Sequence, residues 1–208
     1  MALNSTVPRR HVIAGLCCLP ALIRQARAAP AICDVKEIAS GVYIRSGLDE
    51  DATPHNEDAI ANIGFIVGRE AVAVTDSGGS LRDGECLRAA IRTVTGLPIR
   101  YVLMSHVHPD HIFGAGAFLA DKPAFVGHRM LPRALTQRGE YYRKRLEELL
   151  GAGNVGPVVQ PTLLVQDETQ IDLGGRVLEL KAHCEAHTDC DLSMFDRRTQ
   201  TLFPADLL

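Results

Sequence analysis

The sequence predicts an α/β domain in which short strands alternate with helices. Three observations carry that prediction. Short runs of apolar and β-branched residues recur between positions 35 and 203, separated by Gly, Pro and acidic turns. Helical periodicity appears between them, over 80–94 and 130–150. The 208 residues, 46% apolar and 23% charged, suit one soluble domain and exclude a disordered, collagenous or coiled-coil chain. No stretch reaches the roughly eighteen consecutive apolar residues of a membrane span. A net charge of -3, aromatics at 5% and no Trp argue against a nucleic-acid surface.

Positions 1–28 read as an export signal. They carry Arg9, Arg10, Arg24 and Arg27 and no acidic residue. The apolar run over 12–23 has the length of a signal core, and Ala26-Arg27-Ala28 offers a cleavage site. Arg9-Arg10 favours the twin-arginine route. Leu16 and Cys17 are not the small residues that a lipid anchor on Cys17 or Cys18 requires. The expectation is an exported, periplasmic protein with no stable membrane anchor and one domain over 29–208. Without the signal, 18 basic residues face 25 acidic ones, a net of -7. Cys33, Cys86, Cys184 and Cys190 remain, too few for a disulfide scaffold but enough for one bridge in an oxidising compartment.

The elements follow in order. Strands are expected at 35–38 and 42–46 around a Gly41 turn, and 47–62 is polar and acidic enough to be a surface loop. The runs 63–67 and 71–75 flank Gly68-Arg69-Glu70 and predict a hairpin. Ser80 and Asp83 form a capping signature ahead of Leu87, Ala90, Ile91 and Val94, with Gly96 and Pro98 as the stop. A strand at 101–104 precedes a short helix or turn over 110–119, then a strand at 124–126. The charged segment 130–150 predicts a long helix, its outer face a solvated run with Arg143–Glu147 and Lys144–Glu148 pairs. Strands are expected at 160–165, 169–173, 177–181, 192–195 and 201–203.

The chemistry lies directly after the strand at 101–104. Ser105-His106-Val107-His108-Pro109-Asp110-His111 places three imidazoles and a carboxylate in six positions, ligands suited to Zn²⁺ or another first-row ion. In extended backbone His106 and His108 project to one side. Pro109 turns the chain and aims Asp110 and His111 at a neighbouring position, an arrangement that suits two metals.

H-x-H-x-D-H after a buried strand resembles the signature of the metallo-β-lactamase superfamily. The other expected pieces occur in order: Asp76 in Thr75-Asp76-Ser77-Gly78, His187 in Ala186-His187-Thr188-Asp189, and Asp206 in Pro204-Ala205-Asp206-Leu207. The resemblance implies an αβ/βα sandwich with its second half incomplete. It implies a first metal on His106, His108 and His187, and a second on Asp110 and His111, with Asp206 between them. Asp76 would orient a ligand histidine from behind, and Asp110 is the candidate catalytic carboxylate. The cofactor expected is one or two Zn²⁺ ions, with a mononuclear iron oxygenase and a metal-binding remnant without turnover as alternatives. Ala186 and Ala205 stand where the family has Gly, a mild change where φ is negative. Family members continue past the bridging Asp, whereas Asp206 is followed by two residues, so the second metal is expected to lack a ligand and bind weakly. The stretches around His187 and Asp206 resemble exported metallohydrolases linked to quinoprotein dehydrogenase systems. That implies hydrolysis of a small molecule (a lactam, thioester, lactone or phosphoester) and a functional link to such a dehydrogenase.

Three features have simpler readings. His128, at a helix start, reads as surface, and His183 as solvent-exposed. Cys184, His187 and Cys190 form C-x₂-H-x₂-C, which allows a Cys184–Cys190 bridge or a separate zinc site.

Overall fold

The computed structural model describes residues 33–208; the export signal read over 1–28 lies outside the described residues. Every expected strand and helix is present, within a few residues of its predicted bounds. The strands are β1 Lys36–Ala39, β2 Val42–Arg45, β3 Ile63–Val67, β4 Val72–Thr75, β5 Ile99–Met104, β6 Ala124–His128, β7 Leu163–Val165, β8 Glu168–Asp172, β9 Val177–Ala182, β10 Leu192–Asp196 and β11 Thr201–Phe203. The helices are α1 Leu81–Val94, α2 Pro109–Ile112, α3 Leu131–Ala134 and α4 Glu140–Leu150. A π turn, Leu135–Gly139, joins α3 to α4, so the long helix is not regular.

The first sheet has the order β1-β2-β3-β4-β5-β6-β7. It is antiparallel as far as β4 and parallel from β4 to β7, because the chain crosses over three times, through α1, through α2 and the short helical segment after it, and through the helix after β6. The second sheet, β11-β10-β9-β8, is antiparallel throughout. Side chains along the first sheet alternate between two cores, as the two-residue strand period requires. Val72, Val74, Val102 and Met104 join Leu87, Ala90 and Ile91 of α1 under the helices. Ala73 and Leu103 face the second sheet and meet Leu178, Leu180, Leu192 and Met194. The layers run helices, sheet, sheet. Among the described residues no helical side chain enters the core between the sheets.

Ser80 caps α1 as its signature predicts, its Oγ accepting from the Asp83 backbone N–H at 3.1 Å. A buried ion pair ties the sheets together. Arg176, 2% exposed, donates to both carboxylate oxygens of Asp196 at 3.2 and 2.6 Å. Its Nη1 also reaches Gly41 O and Val67 O, so one guanidinium joins the second sheet to the first. The Asp196 carboxyl is held below its usual range: burial alone would raise it, and the bonds from Arg176 and Thr199 outweigh that.

Several expectations need correction. The disulfide joins Cys33 to Cys86, which fastens the start of the domain to α1; Cys184 and Cys190 are free. Lys144–Glu148 does not form, because Arg145 takes Glu148 while Arg143 binds Glu140 and Glu147. The 47–62 loop is not wholly on the surface: Asn56, Asp58 and Ala61 are buried. His128 is 1% exposed, its Nδ1 accepting from the Met130 N–H at 2.9 Å. His183 is half-buried, with Nε2 2.7 Å from Ser193 Oγ.

Candidate metal centre

The site stands where an open sheet with parallel strands offers one, at the carboxyl ends of β4 and β5. Leaving β4, Asp76 turns the chain in a left-handed conformation at φ 54. Its Oδ1 accepts the Ser105 N–H at 2.7 Å, which joins the end of β4 to the start of the histidine loop. Gly114 closes the same junction by close approach, since a Cβ there would lie 1.8 Å from Ser77 O. Ser77 N–H donates to His111 O, fixing the far end of the loop.

His106 and His108 do project together. His106 Nε2 lies 3.0 Å from His108 Nδ1, and His187 Nε2 lies 3.0 Å from the same atom. Asp206 Oδ2 approaches at 3.6 Å from His106 and 3.4 Å from His187. One ligand atom from each of His106, His108, His187 and Asp206 falls within 4.8 Å of the others. Donors about 2.1 Å from a tetrahedral ion stand roughly 3.4 Å apart, so these atoms fit one ion. Two of the imidazoles are held neutral, as ligands must be. Burial pushes His106 down to about 4, and burial followed by the neighbouring His187 lowers His108.

Asp110 and His111 lie beside this group. His111 Nε2 is 3.3 Å from Asp110 Oδ2 and 3.3 Å from Asp206 Oδ1. Asp206 therefore turns one oxygen to each set, the bridging position that the resemblance implies. His111 Nε2 is buried and makes no well-aligned hydrogen bond to the two carboxylates at 3.3 Å, while Nδ1 lies 2.8 Å from Asp76 Oδ2. A buried imidazole nitrogen facing two carboxylates without a well-aligned bond is a costly feature unless a cation sits between them. Burial opposes charging of His111, yet Asp76, Asp110 and Asp206 together hold it well above its usual value. Asp206 is pushed down to about 2, first by His111. Asp110 would be raised by burial, but His111 holds it below its ordinary range. Three carboxylates thus call for positive charge at one point, and the donor set fits a metal.

The loop that delivers His187 is built by its own residues. Thr188 donates to Asp191 from both N–H and Oγ1, at 2.7 and 2.6 Å. The C-x₂-H-x₂-C alternative does not assemble: His187 joins the histidines, Cys184 lies beside Arg129, and Cys190 is buried against Thr188. Ala205 departs from the expected mild exchange, because it takes φ 50, where a Cβ is disfavoured.

Asp58 had no sequence signal. It is 3% exposed, lies in left-handed backbone at φ 63, and its Oδ2 has no partner. Burial first, then the charges of Asp110 and Asp83, push its carboxyl up to about 7. A cavity of about 360 Å³ adjoins the centre, lined by Ile44, Leu103, Leu192, Met194 and Phe203, with Asp76 and Ser105 at its polar end.

Known proteins share this fold. The family model described as the metallo-beta-lactamase superfamily matches residues 57–208. A linear primary-alkylsulfatase from a Pseudomonas species is 26% identical over 118 residues, which is 57% of this chain and 17% of that protein. The chain thus spans about a sixth of that relative's length. Among solved structures, a metallo-beta-lactamase from Pontibacter korlensis superposes with a TM-score of 0.65 at 17% identity, over 82% of this chain and 70% of that one. A double mutant of a sec-alkyl sulfatase gives a TM-score of 0.60 at 19% identity, over 83% of this chain and 31% of the other. These identities speak for the fold. With the family model covering β3 through Asp206, the chain belongs to the metallo-beta-lactamase superfamily.

Proposed function

We propose that the chain is an exported, zinc-dependent hydrolase that cleaves an ester-like bond in a small molecule. The observation that carries this reading is the convergence of His106 Nε2, His108 Nδ1, His187 Nε2 and Asp206 on one point. Those four would hold the first ion, and Asp110, His111 and Asp206 the second. The first set offers four donors and the second three, one of them shared, so binding is expected in two steps with the second weaker. Zinc would supply Lewis acidity and acidify water. The chain's own residues do the rest. Asp76 holds the Nδ1 side of His111 and so leaves Nε2 facing the site. Asp110, kept ionised beside His111, is the carboxylate positioned to take and return a proton during hydrolysis.

Alkyl sulfate esters are the substrate class placed first, ahead of lactams. Two alkyl sulfatases among the similar proteins and the apolar cavity beside Asp76 and Ser105 support that order. Export is supported by the Cys33–Cys86 bridge, since such bonds persist in oxidising compartments. The link to a quinoprotein dehydrogenase rests on the sequence stretches around His187 and Asp206.

The test is zinc content after gel filtration, followed by assay with nitrocefin and a primary alkyl sulfate. Wild type should retain zinc and hydrolyse one of the two, and both His106→Ala and His187→Ala should lose the ion. Full zinc retention in both variants would overturn the assignment, and bound iron would move the reading to an oxygenase.

A further inference from the structure

The helix that walls the metal centre carries an irregularity where it passes the ligand loop. Its π turn, Leu135–Gly139, interrupts the helical repeat, a departure that recurs at functional sites. The turn ends at Gly139, where a Cβ would stand 2.9 Å from Val158 Cγ1. Arg138 within the turn and Tyr142 four residues on share one side of the helix. Tyr142 meets one metal ligand, and Arg138 meets the loop that carries another. The Tyr142 ring meets His108 edge-on, with centroids 6.3 Å apart. Arg138 Nη2 donates to Asp189 Oδ1 at 2.6 Å, two residues beyond His187.

That bond uses one guanidinium nitrogen. Arg138 Nε is buried without a partner, and Nη1 has none among the described residues. The side chain remains 34% exposed, open to solvent at the rim of the centre. Stapling the ligand loop is a weak reason for the arginine, because Asp191 already holds that loop through Thr188 and through the His183 N–H. Asp189 orients the guanidinium without exhausting its donors. A planar fork with a free N–H group, on the helix side that also carries the Tyr142 phenol, matches an oxyanion.

We propose that Arg138 and Tyr142 form an anion-recognition site at the rim of the metal centre, which takes a sulfate or carboxylate group of the substrate. The proposal rests on the hydrolase reading for what happens next, but anion binding itself does not require turnover. It makes the substrate an anion rather than a neutral ester.

The test is isothermal titration with 1-hexanesulfonate, hexanoate and hexanamide, on zinc-loaded and on metal-free protein, with zinc content measured for each variant. Wild type should bind the better of the two anions about tenfold more tightly than the amide, the scale of one charge-assisted hydrogen bond. Arg138→Gln should erase that preference while keeping zinc, and Tyr142→Phe should reduce it. Asp189→Asn should preserve or strengthen it, since it removes a competing carboxylate and leaves the arginine in place. A sulfonate preference assigns a sulfate head, and a hexanoate preference a carboxylate. Three outcomes overturn the proposal: no anion preference in wild type, a preference that survives Arg138→Gln, or an Asp189→Asn variant that loses zinc and binding as Arg138→Gln does. Wild-type protein that holds no zinc yet still prefers the anions would sink the hydrolase reading and leave the anion site standing.

Discussion

Asp76→Asn isolates the contribution of a residue that touches no metal in the proposed arrangement yet governs one ligand. Asp76 uses both oxygens: Oδ1 takes the Ser105 N–H at 2.7 Å, and Oδ2 stands 2.8 Å from His111 Nδ1. Asn tolerates the left-handed backbone at φ 54 nearly as well as Asp, so the turn itself should survive. The amide keeps one acceptor, which the Ser105 N–H will claim. Its NH₂ then faces His111 Nδ1, where an acceptor is needed. His111 must shift its proton to Nε2, the nitrogen aimed at Asp110 and Asp206, or lose the contact. A hydrogen bond to a charged group is worth about 1.5–3 kcal/mol. Loss of such a supporting partner weakens metal affinity roughly 10–100-fold, the same scale at 1.4 kcal/mol per factor of ten. The weaker zinc constant should therefore fall by about that factor, and the constant of the histidine triad by less than about threefold. Competition titration with a chromophoric zinc chelator resolves the two steps. A variant whose weaker constant stays within a factor of about three of wild type would show that Asp76 does not act through His111.

Other outcomes follow from the same structure. Arg176→Met leaves Asp196 buried and unpaired, so chemical denaturation should show a loss of about 3–5 kcal/mol, and Arg176→Met combined with Asp196→Leu should recover much of it; a double variant as unstable as the single one would be evidence against the pair. Because the Asp196 carboxyl is depressed in the fold, its stabilisation is full above the unfolded value near 4 and is lost as pH falls through and below it, which the Asp196→Asn variant should show as a flatter acid limb. Asp58 has the opposite sign. With its folded value up at about 7, the fold holds a proton that the unfolded chain releases near 4, so its contribution is present at low pH and is lost as pH rises between those values. Asp58→Asn should raise Tm of metal-free protein more at pH 8 than at pH 4, and an equal gain at both would refute the shift. Ala205→Gly relieves a Cβ held at φ 50 and should stabilise the chain by about 1 kcal/mol, read as a rise in Tm; a fall would mean that the strain is absent.

Much of this protein was legible without coordinates because its signals are local. The short apolar runs of β3, β4 and β5 and the Ser80–Asp83 cap of α1 depend on neighbours a few positions away, and each is where the sequence places it. The histidine loop is equally local: His106, His108 and His111 lie within six residues, directed by one strand end and one proline. His187 and Asp206 were legible only through motif resemblance, since nothing in their own neighbourhoods says that they meet a loop 79 residues from His187. Tertiary structure alone decided the rest. The four cysteines beyond position 28 allow several pairings, and only the packing of residues near Cys33 on α1 selects Cys33–Cys86. Asp58 sits in an acidic loop without alternation, so its burial follows from where the chain is pressed against Gly79 and not from any pattern. Arg138 reads as one more charge on a solvated helix until the π turn delivers it to Asp189. Arg176 reaches two carbonyls more than a hundred residues earlier because two sheets close over it. Periodicity records what each segment buries, but not which partner the fold presses against it.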